Sequence, residues 1–451
     1  MRRLTAGPAE GRFSVDLEGE PVEARPGEPV ACSLLAGGVR VFSRSVKYHR
    51  PRGPFCMTGD CGQCLMQVDG VPNVATCRVV AQPGMKLQRQ NAFPSGDLDV
   101  FEAVDWLFPR GMDHHEMFAG VPVAETVMLH VARALAGLGL LPKDAPAPAL
   151  PSESVSADAV VVGAGAAGSE AAHALAAAGR QVLVLEREAV IGGRLVSGAA
   201  EAGAPEVPAL PSACVRLRTT VVGIFSDDGR RVVVAVQETD GGPVLLRISA
   251  RAVVLAPGGH PALLPFENND LPGIYAGRAV SSLVRRHGLL PGERVAVLGE
   301  GPELYALAAL LRASGADIPL VLQLSGSLPA DAGSEARIGT PTRASGLQHV
   351  KSLAFESGGD PHKVACDAVA VCLPPSPALS LAVQAGARTA WSEAWNCFHV
   401  VADEAGHTGV DGLYAAGDVT GPREVAAAAA HGRRAGEAVA TWLARAAEVT
   451  P

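Results

Sequence analysis

Residues Asp158–Glu188 read DAVVVGAGAAGSEAAHALAAAGRQVLVLERE, and this stretch decides the fold of the larger part of the chain. A continuous apolar run, a glycine turn, an alanine-rich segment and a second apolar run follow in order, the pattern of a strand, turn, helix and strand. Gly163, Gly165 and Gly168 stand in G-x-G-x-x-G register. The first permits a tight turn and the second lets backbone approach a pyrophosphate. The third lets the helix pack on the strand while its N-terminus faces the phosphate charge. Ala166 and Ala167 lie within this motif and open the helix. Glu186, eighteen residues past Gly168 and followed by Arg187, stands where an acid accepts hydrogen bonds from ribose hydroxyls. Set between two strands with the acid in place, the motif specifies a dinucleotide site.

A second, poorer unit begins at Arg294, RVAVLGEGPELYALAALLRASGADIPLVLQ. Gly299 and Gly301 are present, but Leu304 stands where the third glycine would fall, and the following strand ends at Gln323 instead of an acid. Such a unit either binds nicotinamide or adenosine phosphates or survives as a structural remnant.

Nearer the N-terminus, CMTGDCGQCLMQVDGVPNVATC places Cys56, Cys61 and Cys64 at C-x4-C-x2-C spacing, with Cys77 twelve intervening residues further on. This is the plant-type 2Fe-2S spacing. Two irons need four thiolates converging from one tight loop and one remote strand, and Gly59 and Gly62 let the loop turn. Amides freed by such a turn can point at the sulfurs. Zinc also takes four cysteines, but its structural sites are usually built from paired knuckles, and here there is one close pair. The segments FSVDLEG, EPVEA and LMQVDG have strand character and VACSLLAGG has helical character, the mixture of a ferredoxin-like β-grasp. The other five of the nine cysteines are scattered, and an odd count in a chain read as unsecreted argues against a disulfide framework. Cys366 and Cys372, in VACDAVAVCLPP, read as small hydrophobes of a buried strand.

The 451 residues suffice for two or three domains. A formal charge of -8 without basic runs makes nucleic acid an unexpected partner. No apolar stretch of signal-peptide length follows MRRLTAGPAEGRFSV, and no window reaches the roughly 20 apolar residues of a membrane span, so a cytoplasmic chain that does not cross the membrane is expected. The expected fold class is an α/β flavoprotein with two dinucleotide-binding, Rossmann-like lobes, preceded by an α+β ferredoxin-like β-grasp domain. A 2Fe-2S domain over 1–97 would lead through a helical connector and Pro/Ala-rich linker over 98–156 into the dinucleotide-binding fold over 157–451, whose second lobe falls at about 275–390. No paired carboxylates, Ser-His-Asp set or activated cysteine emerges, so no side chain is expected to be catalytic, and the hard chemistry falls to cofactors.

Three further segments carry a resemblance. VIGGRL, with Gly192, Gly193 and Arg194, AVVLAPGGH, with Pro257, Gly258 and Gly259, and GLYAAGDVTG, with Gly417 and Asp418, resemble the two-dinucleotide-binding flavoprotein family. The resemblance implies that Gly193 and Arg194 bind the cofactor, as does Gly258 on the strand crossing between lobes, and that Gly417 and Asp418 hold the flavin's ribityl and phosphate region. The helix EVAAAAAHGRRAGEAVA would then face the flavin with its N-terminus. FSRSVKYHRPRGPF, DLDVFEAVDWLFPRGMDHHEMFAG, the amphipathic AETVMLHVARALAGLGLLP and the linker PKDAPAPALPSES together resemble the alpha subunit of heterotetrameric sarcosine oxidase. They resemble equally its iron-sulfur relatives among opine, hydroxyproline and cyanide-forming glycine dehydrogenases. The resemblance implies an electron-transfer subunit of an amine or amino-acid dehydrogenase or oxidase. Its partner would be a substrate-oxidising flavoprotein beta-type subunit, with further small subunits in some relatives. FAD and a 2Fe-2S cluster are the implied cofactors, with NAD or ATP as alternatives in the same nucleotide fold and FMN where subunits meet. Lys47, His49, Arg50, His114 and His115 either line such an interface or pack the ferredoxin domain onto the flavoprotein. The chain departs from the alpha subunits of sarcosine oxidase in carrying cluster cysteines and in ending at Pro451 without a folate-binding half. Two other readings compete: a self-contained NAD(P)H-dependent flavin and iron-sulfur reductase, and a docking subunit with a structural nucleotide.

Overall fold

A computed structural model describes residues 1–4, 11–103, 149–198, 206 and 209–448. The expected connector helix, His114 and His115 lie outside them. The chain forms two compact units, one of residues 1–145 with 263–372 and one of residues 146–262 with 373–451.

In the first unit, alternating apolar residues give the N-terminal domain a mixed five-stranded sheet. Its strands run in the order Glu20–Ala24, Phe13–Leu17, Lys86–Gln88, Leu65–Val68 and Val71–Ala75. Phe13–Leu17 pairs parallel with Lys86–Gln88 and the remaining neighbours pair antiparallel, which is the β-grasp arrangement expected from the sequence. The helix Val30–Ala36 closes one face, burying Val30, Cys32, Leu34 and Leu35 against Val15, Met66 and Leu87. The same unit holds a five-stranded sheet in which Ile274–Ala276, Ala368–Cys372, Arg294–Gly299, Asp317–Gln323 and Ala336–Ile338 are all parallel. Its central strands are near-continuous apolar runs, as strands covered on both faces must be. This sheet is the second nucleotide lobe.

Arginines of the SRSVKYHRPRG segment tie the two parts of this unit together. Arg50 donates to Asp270 at 2.9 Å and to Asn268 at 2.7 Å, Arg52 pairs with Asp270, and Arg44 donates to Gln348 at 2.8 Å. His49, in a left-handed conformation with φ +52°, sets its Nδ1 2.8 Å from the buried Asp99. Arg44, itself 1 % exposed, donates to the His49 carbonyl and to Glu102. Of the two roles left open, the contacts of Arg50 are those of domain packing, as are those of Arg44, whereas His49 is held by Asp99 and Val46 and Lys47 are exposed at the tip of the loop.

In the second unit, Ser152–Val162 lies between Val182–Leu185 and Gly242–Leu255, parallel to both. Gly242–Leu255 extends into an antiparallel meander with Arg230–Thr239 and Thr219–Asp227, and its C-terminal end also pairs with Leu413–Ala415. The helices Ala166–Ala177 and Val425–Glu448 lie together on this sheet, and small residues set how closely they approach. A Cβ at Gly432 would stand 1.9 Å from the Ala167 carbonyl oxygen and one at Gly436 2.4 Å from that of Ala171. Those neighbours are backbone and cannot give way. Gly432→Ala should therefore destabilise the protein by about 2 kcal/mol and lower the melting temperature by roughly 4–8 °C in a thermal unfolding scan.

Candidate cofactor sites

The loop carrying Cys56, Cys61 and Cys64 turns at Gly59 (φ +85°) and Gly62 (φ +65°), and Cys77 comes to it from the end of the strand Val71–Ala75. The thiols contact one another in the order Cys61, Cys56, Cys77, Cys64. Donation from Cys61 and Cys77 pulls the Cys56 thiol far below its ordinary range, and donation from Cys77 lowers that of Cys64 to about 7. Cys61 and Cys77, the donors of those hydrogen bonds, are pushed up. Amides of Thr58, Gln63 and Cys77 point at the sulfurs of Cys56, Cys61 and Cys64, the first at 3.4 Å. Among the described residues no group of three or more such side chains closes around a single ion. Contacts spread along a row of four sulfurs suit ligands shared between two metals, two to each. The donor set fits a 2Fe-2S cluster. Cys372 ends the buried strand Ala368–Cys372 and Cys366 lies two residues before that strand, and burial pushes the Cys366 thiol up to about 12 and that of Cys372 up as well.

The glycine turn of the second unit is built as its motif requires. A Cβ at Gly163 (φ +94°) would stand 2.3 Å from the Ala256 carbonyl oxygen, and one at Gly168 would stand 1.9 Å from that of Gly163. Around the Cβ position of Gly165 nothing lies within 4 Å, which leaves the turn open where a pyrophosphate would approach. Glu186 is buried beside the turn, accepting from the Ala164 amide at 2.7 Å and the Glu188 amide at 2.8 Å. Burial pushes its carboxyl up, against the pull of those two amides. Arg187 follows, half-buried.

The other predicted residues gather on the same turn. Gly193 (φ +52°) packs on Gly165, and Gly417 (φ +77°) packs on Ala167. Ala166 packs on Val425 and Ala429, which brings the N-termini of the two helices together. Gly258, two residues past Ala256, has open space around its Cβ position. Arg194 reaches the Arg423 carbonyl and stands 3.8 Å from Asp418, which accepts from the Arg423 amide at 3.1 Å. The residues present thus fit a dinucleotide with an anionic group near Arg194. Sequence reasoning passed over His431, a lone polar residue in an alanine run. It is 2 % exposed, and its Nδ1 accepts from the Gly417 amide at 3.3 Å.

The second lobe keeps open space at its second glycine, Gly301, but departs from the motif at two other places. Leu304, at the third-glycine position, is fully buried, so its helix Pro302–Ala313 cannot approach the turn as the helix from Ala166 does. Glu300, in the glycine loop, accepts from the Ser325 hydroxyl at 2.8 Å. Gln323, at the position of the ribose-binding acid, is engaged by the Tyr305 hydroxyl and the carbonyls of Ser325 and Ser327. The lobe thus keeps the open second glycine and departs from a nucleotide site at Leu304 and Gln323.

Two outcomes are expected. Cys77→Ser should abolish the visible absorption of the iron-sulfur centre, whereas Cys372→Ser should leave iron per chain unchanged, both by metal analysis of purified protein. Burial, Arg423 and Arg434 lower the His431 imidazole to about 4, below its ordinary 6.5. The unfolded chain therefore binds the proton first, and stability that is complete above about pH 6.5 is lost as pH falls toward 4. His431→Gln should flatten that slope in denaturant unfolding measured across this range.

Comparisons with known proteins agree with this geometry. Residues 11–92 match the model of a 2Fe-2S iron-sulfur cluster binding domain, and residues 157–432 match that of the pyridine nucleotide-disulphide oxidoreductases. The chain is 28% identical to the alpha subunit of sarcosine oxidase from Rhizobium meliloti over 84% of its own length and 41% of that protein. It is 26% identical to an opine oxidase subunit of the same organism, over 64% of this chain and 72% of that one. The chain thus spans about two-fifths of the length of the sarcosine oxidase relative. The L-proline dehydrogenase of P. horikoshii shares the fold with a TM-score of 0.69 at 20% identity, covering 99% of this chain and 76% of that one. These matches give the chain a 2Fe-2S cluster and FAD as cofactors and make it an oxidoreductase. With the matching model covering more than half of its residues, the chain belongs to the pyridine nucleotide-disulphide oxidoreductase family and carries an iron-sulfur domain ahead of that fold.

Proposed function

We propose that the chain is the electron-transfer subunit of a heteromeric dehydrogenase or oxidase of amines or amino acids, of the sarcosine, proline, hydroxyproline or opine class. Its partner in this reading is a flavoprotein subunit that oxidises the substrate beside its nitrogen, with further small subunits where the assembly has them, in the cytoplasm. Among the described residues no helix is long and apolar enough to cross a membrane. The names of the relatives support the reading, since they are subunits of sarcosine and opine oxidases.

The observation that carries the proposal is the contrast between the two glycine turns. Both have open space at their second glycine, Gly165 and Gly301, but the first has the buried Glu186 accepting from the Ala164 amide of the turn, whereas in the second Leu304 takes the third-glycine place and Gln323, held by the Tyr305 hydroxyl, takes that of the acid. A chain with a dinucleotide site and a cluster site has carriers for electrons, and in this reading the second lobe does not serve a pyridine-nucleotide donor. When bound, flavin accepts electrons in pairs and the cluster passes them singly. The protein's part is to hold and insulate. Glu186 orients the ribose end, and the helix starting at Ala166 turns its positive end toward the pyrophosphate. Arg194 supplies a cation beyond it. Cys56, Cys61, Cys64 and Cys77 hold the irons, and the amides of Thr58, Gln63 and Cys77 stabilise sulfur charge.

The test is reduction of the chain under anaerobic conditions, followed in the visible spectrum. NADH or NADPH added to the chain alone should leave the flavin and cluster absorption unbleached. The complex captured from its native cells on the tagged chain should bleach with sarcosine, proline, hydroxyproline or an opine. Rapid bleaching of the chain alone by NAD(P)H would instead establish a self-contained reductase. A cluster spectrum without flavin would favour a docking subunit with a structural nucleotide.

A further inference from the structure

Arg78, the residue after Cys77, lies across the cluster loop. A Cβ on Gly59 would stand 2.8 Å from Arg78 Cγ, 3.0 Å from its Cδ and 3.9 Å from its Nε. The side chain therefore runs over the face of the turn between Cys56 and Cys61, in space that exists because residue 59 has none of its own. Its backbone is fixed by the hydrogen bond from its amide to the Ala75 carbonyl at 2.9 Å. Arg78 is half-buried, whereas the loop's own charge, Asp60, is exposed and accepts from the Thr58 hydroxyl at 2.8 Å.

We propose that Arg78 is a fixed cation of the iron-sulfur site, raising the reduction potential of the cluster and covering one side of its loop. The proposal rests on the reading of the four cysteines as cluster ligands. One-electron reduction adds negative charge to a group that is already anionic, so a cation held against the loop stabilises the reduced form more than the oxidised one. Partial burial keeps that interaction from being fully screened. A second contribution of the same sign comes from the helix Gly277–His287. The Ala276 amide at its start donates to the Phe55 carbonyl at 3.0 Å, and Ala276 and Ala279 pack against Cys56. Asp60 acts in the opposite sense, weakened by its exposure. Arg78 thus tunes the cluster through charge, and Gly59 is the residue that makes room for it.

The test is the midpoint potential of the one-electron couple, from a titration followed by electron paramagnetic resonance, in the wild-type chain and in Arg78→Met, Arg78→Lys and Asp60→Asn. Methionine keeps an apolar stem over Gly59 without the charge. Arg78→Met should shift the reduction equilibrium about tenfold toward the oxidised form, or ~59 mV for one electron. Arg78→Lys should recover most of that shift, Asp60→Asn should move the potential slightly upward, and added salt should narrow the gap between wild type and Arg78→Met. A fully loaded Arg78→Met protein with the wild-type potential would overturn the proposal, as would loss of iron from both the Met and Lys variants, which would make Arg78 a packing residue. Absence of iron and sulfide from the wild-type chain would instead refute the assignment of the cysteines, so the two failures are distinguishable.

Discussion

Everything proposed for the dinucleotide site depends on how closely a helix can approach the turn before it. At Gly168 the carbonyl oxygen of Gly163 comes within 1.9 Å of where a Cβ would be, a distance no side chain tolerates. That approach seats the helix from Ala166 so that its first amides face the open space at Gly165. Around it, Gly193, Gly417 and the start of the helix from Val425 converge because each brings little or no side chain to the contact. In the second lobe a buried leucine stands at the corresponding place, and the lobe keeps its parallel sheet and the open position at Gly301, with Gln323 in place of the acid. The same architecture thus serves once to hold a cofactor and once to hold another domain.

That second role gives the lobe its place in the chain. It shares a compact unit with the iron-sulfur domain, joined by Arg50 and Arg52 on Asp270 and by Arg44 on Gln348. Arg44, His49 and Asp99 are buried together, with His49 Nδ1 2.8 Å and Arg44 Nε 3.9 Å from the Asp99 carboxylate. The apolar face around Phe55 and Cys56 meets Ala276 and Ala279, so the cluster loop leans on the lobe. The second lobe therefore packs against the loop that carries the cluster cysteines.

Much of this was legible in the sequence because short-range spacing encodes it. The C-x4-C-x2-C register, the three glycines with Glu186 behind them, and the Leu304 and Gln323 departures are local patterns with fixed physical meanings, and the fold class follows from them. What stayed hidden depends on residues far apart in the chain. Nothing near Arg50 announces Asp270, nothing near Gly59 announces Arg78, and His431 sits in an alanine run with no local sign that Gly417 will donate to it. The grouping of the second lobe with the N-terminal domain was hidden for the same reason, since it is made by ion pairs whose partners lie more than two hundred residues apart.

The central claim is that one chain holds both a 2Fe-2S cluster and a flavin, and it is tested most directly by electron paramagnetic resonance of the chain purified without air, with the nucleotide released from the same sample identified after acid denaturation. The account predicts a silent oxidised protein, a signal of one unpaired electron per chain after reduction with dithionite, and FAD among the released molecules. A protein silent in both states, or a reduced signal accompanied only by NAD or ATP, would contradict it.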